Sequence, residues 1–193
     1  YYDSNPTLTR VVFEDNSAAN GGGISASLGS NPVLTDVTFE GNTAAQGGGM
    51  YSRNSIITYT TSLDRVTFSG NSATQRGGAL YIDGSNLTLT NTTLVDNTSG
   101  GAGAGIYLIN DNSYDDYVVN LINVTLSGNS AVGTGGAIHV YDVIGEAGLK
   151  PLNLENTIVW GNLSGSGSQL YVESAAGENI SVSDSVVQDG CPA

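Results

Sequence analysis

The sequence predicts an all-β fold, a parallel β-helix of about seven coils with three short strands in each coil. Three observations lead to this prediction. A motif recurs along the whole chain, apolar residues alternate on both sides of a fixed bend within each copy, and asparagine and glycine return at the same places. Recurrence with a period between about 20 and 50 residues is typical of solenoids and propellers.

The repeated motif is clearest in VTFEGNTAAQGGGM, residues 37–50, and near copies begin at residues 11, 66 and 124. Looser copies begin at residues 92 and 157, and residues 185–190 open a seventh copy, with Gly190 at the aligned position. The first six copies align on one asparagine each: Asn16, Asn42, Asn71, Asn97, Asn129 and Asn162. A motif used this often indicates architecture rather than a single site.

Within each copy, apolar residues alternate and then shift phase by one residue before the asparagine. In the fourth copy Leu87 and Leu89 precede the shift and Leu94 follows it. Alternation predicts strands with one buried face, and the shift predicts a bend between two of them. Residues typical of turns occupy most of these bends: Asp36, Arg65, Asn91, Asn123, Asn156 and Asp184. A third strand is predicted after the glycines, where inward pairs such as Leu80 and Ile82 recur.

The alignment also predicts how equivalent residues stack between coils. One continuous inward stack should contain Phe13, Phe39, Phe68, Leu94, Leu126 and Val159. The asparagines should form an inward ladder in which side-chain amides bond one another and the turn backbone. A propeller is disfavoured because no Asn-Gly or Asp-Gly hairpin recurs where its antiparallel strands need one.

The glycines look at first like a phosphate-binding loop. No helix follows them to offer its N-terminus to a phosphate group, however, and an isolated glycine pattern is a non-specific signal. We interpret the glycines as places where the backbone needs a positive φ or where neighbouring coils pack closely.

Composition limits the partners that this chain can bind. Its 193 residues fit a single domain, 1–193, and its net charge of −13 argues against nucleic acid as a partner. No apolar run is long enough for a membrane span, and the first residues do not resemble a signal peptide. Because Cys191 is the single cysteine of the chain, an internal disulfide framework is excluded. Because the chain starts inside a repeat without an initiator methionine, we expect it to be a piece of a longer protein.

Clustered carboxylates are the first candidates for chemistry. Asp111, Asp115 and Asp116 lie in a variable insertion, where they fit a solvated loop or a calcium site, whereas catalysis is the least favoured interpretation. No other cofactor is expected. His139 alternates with inward Ile138 and should therefore face outward as a surface histidine. Few basic residues are present to assist a polysaccharide lyase.

A second candidate is a column of outward tyrosines, each following the inward residue after the glycines. Its members are Tyr51, Tyr81, Tyr107 and Tyr171, with His139 at the aligned position of the fifth copy. The pattern predicts an exposed aromatic ladder. Such a ladder either stabilises the solenoid alone or binds sugar rings or a protein.

The repeats of this chain resemble those of a known family. FEDN, FEGN and FSGN, together with GGAL at 77–80 and GGAI at 135–138, resemble the FxxN and GGA[ILV] signatures of chlamydial polymorphic outer-membrane proteins. The stretch from 156 to 190 is similar to bacterial secreted β-helix proteins of the choice-of-anchor type. The resemblance implies a right-handed parallel β-helix that is exported and either displayed at a bacterial surface or released, and it supplies no catalytic motif.

These observations favour a non-catalytic, extracellular or cell-surface module with a structural or adhesive role. Its expected partners are another copy docked end to end as a fibre, a surface polysaccharide, or a host or neighbouring cell surface. The alternative is a polysaccharide-active enzyme or a carbohydrate-binding β-helix, because parallel β-helices include polysaccharide lyases and hydrolases. An enzyme would need converging carboxylates and a base in one groove.

Overall fold

The computed structural model describes residues 4–53, 60–110, 118–142, 152–166, 169–173 and 180–188. In this part of the chain all regular structure is β-strand, and no helix there is long and apolar enough to cross a membrane. The strands, in chain order, are β1 (Thr7–Thr9), β2 (Val12–Glu14), β3 (Ile24–Ser27), β4 (Val33–Thr35), β5 (Thr38–Glu40), β6 (Thr43–Gln46), β7 (Met50–Arg53), β8 (Thr60–Asp64), β9 (Thr67–Ser69), β10 (Ser72–Arg76), β11 (Leu80–Asp83), β12 (Asn86–Thr90), β13 (Thr93–Val95), β14 (Thr98–Ser99), β15 (Ile106–Asn110), β16 (Val119–Ile122), β17 (Thr125–Ser127), β18 (Ser130–Ala131), β19 (Ile138–Asp142), β20 (Leu152–Glu155), β21 (Ile158–Trp160), β22 (Leu163–Ser164), β23 (Leu170–Glu173), β24 (Ile180–Ser183) and β25 (Val186–Val187).

The strands form four parallel sheets, which one turn of the chain visits in the order A, B, C and D. Sheet A is β1-β4-β8-β12-β16-β20-β24, and sheet B is β2-β5-β9-β13-β17-β21-β25. Sheet C is β6-β10-β14-β18-β22, and sheet D is β3-β7-β11-β15-β19-β23. The predicted parallel β-solenoid is confirmed, whereas the expected three strands per coil are corrected to four. Because sheet C has five strands, five turns of the described chain carry a strand on all four sides.

The bends between sheets A and B follow the sequence prediction. A left-handed residue, with φ between 47° and 56°, occupies each of them: Arg10, Asp36, Arg65, Asn91, Asn123, Asn156 and Asp184. Asparagine and aspartate tolerate this region better than most residues because their short polar side chains bond nearby backbone. Arg65 instead pairs with Asp36, 2.6 Å from Nε to Oδ1. The predicted phase shift is therefore a real change of backbone direction.

The core lies inside the four sheets, and its columns have the predicted register. Phe39 pairs with Phe13 on one side and with Phe68 on the other. The ring centroids are 5.0 Å and 4.6 Å apart, and the rings are nearly parallel. Later turns continue this column with Leu94, Leu126 and Val159. The expected inward stack is confirmed.

The glycines between sheets C and D have the structural roles that were expected. Gly47 has a φ of 62°, and Gly48, in the same corner, lies against the backbone of the next turn. A Cβ atom at Gly48 would overlap the carbonyl oxygen of Gly78. The corner thus requires glycine for both conformation and close approach.

Candidate functional site

The six aligned asparagines form a hydrogen-bonded ladder along the solenoid, which we call the amide ladder: Asn16, Asn42, Asn71, Asn97, Asn129 and Asn162. After Asn16, each side-chain oxygen of the ladder accepts from the backbone N–H and the Nδ2 of the preceding asparagine. Asn97 Oδ1, for example, accepts from Asn71 N and Asn71 Nδ2, each at 3.0 Å. Asn97 Nδ2 also donates to the carbonyl of Phe68 at 3.1 Å. These side chains therefore hold the corner between sheets B and C.

Two glutamines extend the amide ladder beyond its last asparagine. Gln169 Oε1 accepts from Asn162 Nδ2 at 2.7 Å, and Gln169 Nε2 donates to Gln188 Oε1 at 3.1 Å. Gln188 Oε1 also accepts from the backbone N–H of Gly161. Neither glutamine can be found from the aligned asparagine position, because each comes from another position of the repeat. An amide supplied by a different part of the chain thus replaces the missing seventh asparagine.

The predicted tyrosines stack as a column on the outer face of sheet D, which we call the ring column. Its members in order are Tyr51, Tyr81, Tyr107, His139 and Tyr171. Centroids are 4.9 to 5.3 Å apart, so the rings stack on one another in successive turns. The order is the one that the sequence indicates.

The expectation that this column is exposed is corrected by the structure. Tyr51, Tyr81 and Tyr107 are buried, although Tyr171 is half-buried. Each interior ring covers the faces of its neighbours, and Ile109 and Ala102 pack against the same cluster. The ring faces that would stack on sugars are therefore occupied, and mainly ring edges remain to meet a ligand.

His139 is also buried, with 4% of its surface exposed, which corrects the expectation of a surface histidine. It does lie on the outer side of β19, but it is enclosed between Tyr107 and Tyr171. Its Nδ1 and the Thr134 hydroxyl hydrogen-bond at 2.7 Å. Burial, followed by the positive charge of Arg76, lowers the pKa of His139 to about 4. The imidazole is therefore neutral at pH 7.

This burial predicts an acid-sensitive stability. Above pH 6.5 neither state protonates His139, whereas between about pH 6.5 and 4 the unfolded chain binds a proton that the native state does not. His139 should therefore cost about 3 kcal/mol of stability by pH 4, an order-of-magnitude value. Replacing His139 with Phe keeps a ring in the column and removes this titration.

Urea unfolding of both proteins from pH 7.5 to 4 measures the effect. Because the carboxylates titrate in both proteins, the difference between the two curves isolates His139. We expect the native protein to lose stability relative to H139F as the pH falls. Parallel curves would contradict the buried, neutral histidine.

A cleft of about 340 Å³ lies beside the ring column, and we call it the sheet D cleft. Tyr107 and His139 form its floor. One wall comes from successive turns at the end of sheet C and contains Arg76, Ala102 and Thr134. Beyond Arg76, small residues line this side of the cleft: Gly101, Ala102, Gly133 and Thr134.

The opposite wall comes from the outward residues that follow the ring column on sheet D. Tyr141 lies 6.5 Å from His139 between ring centroids, at an angle of 34°, so it stands outside the parallel stack. Glu173 pairs with Tyr141 in the next turn and is exposed. The cleft therefore combines a tilted tyrosine with a carboxylate.

Arg76 supplies the positive charge of this cleft. Its guanidinium carbon lies 5.1 Å from the centroid of the Tyr107 ring, within the range of a cation–π contact. Burial raises the pKa of Tyr107, and Arg76 partly opposes that shift. The sequence alone does not bring Arg76, Tyr141 and Glu173 together. Their columns carry no common residue type, since Tyr141, for example, is equivalent to Ile109 in the preceding turn and to Glu173 in the next.

The other predicted site has no structural outcome. Asp111, Asp115 and Asp116 lie outside the described residues, so the calcium site stays a prediction. Within the described part of the chain, no group of three or more histidine, cysteine, aspartate and glutamate side chains could hold a metal ion together.

Comparison with known proteins agrees with this architecture. The family model described as "Right handed beta helix region" matches residues 1–192. Neither the curated proteins nor the solved structures give a match. The parallel sheets, the left-handed bends and the family match lead to one conclusion: the chain belongs to the family of right-handed β-helix proteins.

Proposed function

We propose that this chain is a non-catalytic, extracellular adhesive module that binds a surface polysaccharide in the sheet D cleft. The β-helix is a rigid support in which each turn holds the next, and the cleft is a concave binding surface on it. The resemblance to secreted bacterial β-helix proteins supports a position at a bacterial cell surface. The net charge of −13 favours solubility in such a setting.

The observation that carries this proposal is the composition of the cleft. Tyr141 offers a tilted ring, Thr134 a hydroxyl group, and Arg76 and Glu173 opposite charges along one concave surface. Sugars present hydroxyl groups around apolar ring faces, so a site for them combines polar groups with a few aromatic side chains. In contrast, the side chains of the amide ladder and of the ring column mainly contact one another.

A polysaccharide-active enzyme is the second candidate, because His139 and Glu173 line the same cleft. Two features favour binding over catalysis. A general base works best with a pKa near the working pH, whereas that of His139 is lowered to about 4. The imidazole is also enclosed between two rings, which restricts its access to a substrate.

The test is a screen of the protein against immobilised oligosaccharides, followed by calorimetry with the bound ones. Replacing Tyr141 with Ala should weaken binding about tenfold or more, because a ring against a sugar is lost. Replacing Trp160 with Ala is the matched control, since Trp160 is 54% exposed on sheet B, outside the cleft. Equal effects of both variants, or no bound glycan, would overturn the proposal. New reducing ends or unsaturated products on long incubation would favour the enzyme.

End-to-end assembly into fibres remains a further proposal for the same module. All turns of the solenoid carry strands of the same pattern, so turns of two copies could pair by strand addition. Because the net charge opposes stacking, salt or calcium should strengthen it. Sedimentation with and without calcium measures the assembly state, and a strict monomer in both conditions would exclude the fibre.

A further inference from the structure

We infer that Arg76 is an anion anchor of the sheet D cleft, so that the ligand is an anionic glycan bearing carboxylate or sulfate groups. This inference rests on the proposed function and adds the chemical class of the ligand. It assigns to Arg76 the role of binding the anionic group directly. The remaining cleft residues then contact the hydroxyl groups and rings of the sugar.

Among the residues that the structure describes, Arg76 has no carboxylate partner. Two other arginines of the described chain are paired, Arg53 with Asp83 at 3.1 Å and Arg65 with Asp36 at 2.6 Å. No carboxylate in the described residues lies within ion-pair distance of Arg76. Its side chain is exposed at the cleft. In a chain with a net charge of −13, this places an available positive charge where a ligand would bind.

Arg76 is also positioned by its neighbours. Its guanidinium carbon lies 5.1 Å from the centroid of the Tyr107 ring, and Tyr107 is itself 2% exposed and fixed between the rings of Tyr81 and His139. A guanidinium that rests on a ring keeps N–H donors at its edge, which match a planar carboxylate or a sulfate. The base of the anion site is therefore rigid before the ligand arrives.

Arg76 is charged at a position where the neighbouring turns carry uncharged residues. The equivalent position is Gln46 in the preceding turn and Ala102 in the following turn. The charge therefore lies beside the small residues that line the cleft in the following turns. A solenoid does not need an arginine there, because the same corner forms with glutamine and alanine.

The charges also give the bound ligand a direction. Arg76 belongs to the turn of Tyr81, and Glu173 belongs to the turn of Tyr171, three turns later. At the strand spacing of a parallel sheet, the backbones of the two residues are about 14 Å apart along the axis, while the Arg76 guanidinium reaches the Tyr107 ring of the next turn. The anionic group should therefore lie at the Arg76 end, whereas Glu173 accepts hydrogen bonds from sugar hydroxyl groups and repels a second anion.

The experiment measures binding of three oligosaccharides of equal length: a neutral glucan, a uronic-acid oligomer and a sulfated glucan. The variants are Arg76→Gln, Arg76→Lys, Glu173→Gln and Arg10→Gln. Glutamine already occupies the Arg76 column at Gln46, so the first variant should fold normally. Arg10→Gln removes the same charge at a sheet A bend outside the cleft and serves as the control.

We expect the native protein to prefer one or both anionic oligomers over the neutral one. Arg76→Gln should weaken that binding at least about tenfold, and Arg76→Lys should restore part of it, because lysine keeps the charge without the planar fork. Arg10→Gln should bind like the native protein. Glu173→Gln should strengthen anion binding, because a like charge is removed from the cleft.

The outcomes separate this inference from the proposed function. Binding of the neutral and anionic oligomers with equal affinity, unchanged in Arg76→Gln, would overturn the anion anchor and leave the glycan-binding module in place. The absence of binding to any of the three oligomers would overturn both. Preference for the uronic-acid oligomer or for the sulfated one identifies which anionic group the cleft recognises.

Discussion

Replacing Phe39 with Ala is expected to lower the free energy of unfolding by about 3 to 5 kcal/mol. Phe39 is fully buried, and it lies between the rings of Phe13 and Phe68. Neighbouring turns share one backbone register, so they cannot close over the missing ring independently. The cavity should therefore stay largely open, which places the cost near the upper end for such substitutions.

Urea unfolding, monitored by circular dichroism, measures this cost. Phe13→Ala is the matched control, because Phe13 is only half-buried and stacks on a single phenylalanine. It should cost clearly less than Phe39→Ala. A loss below about 1 kcal/mol for Phe39→Ala would mean that the core register described for sheet B is wrong.

The sequence could predict the repeat, the bends and the core columns because each depends on local chemistry that recurs. Asp36 and Asn91 indicate left-handed bends, and the alignment of Phe13, Phe39 and Phe68 indicates an inward stack. Every copy of the repeat carries the same residue pattern, so six weak signals together give a strong prediction of the fold. This redundancy is why the parallel solenoid could be recognised without any relative.

Sheet C could not be predicted because most of its strands are too short to show a period. β14, β18 and β22 have two residues each, whereas alternation needs at least several positions to be seen. They exist because the chain after each amide-ladder asparagine stays extended and pairs with its copy in the next turn. Pairing between turns, and not a local pattern, creates these strands.

The burial of the ring column could not be predicted from the sequence, for a different reason. Alternation shows that the side chains of Tyr81 and Tyr107 point to the outer side of sheet D, but it does not show which residues pack against that side. In the structure the corner after sheet C and the next outward column flank the rings. The cleft with Arg76 and Glu173 arises from the same arrangement, so its residues could not be grouped by spacing.

Replacing Asn97 with Ala should destabilise the protein by about 3 to 5 kcal/mol, the other large effect that we expect. Its side-chain oxygen accepts two hydrogen bonds from Asn71, and its Nδ2 donates to Phe68 and to Asn129. Alanine leaves the donors of Asn71 and the carbonyl of Phe68 without these partners in a buried corner. Each buried polar group that loses its partner costs about 1 to 3 kcal/mol, so the total exceeds that of a single exposed bond.

The amide ladder itself supplies the control. Asn16 stands at its exposed end, where its side chain donates to Asn42 but has no preceding asparagine to accept from. Asn16→Ala should therefore cost less than about 1 kcal/mol, while Asn97→Ala costs several times more. Unfolding of both variants in urea under identical conditions makes the comparison. Equal losses would show that the cost comes from a turn preference of asparagine, which both sites share, and not from the buried ladder, because only Asn97 has partners on both sides.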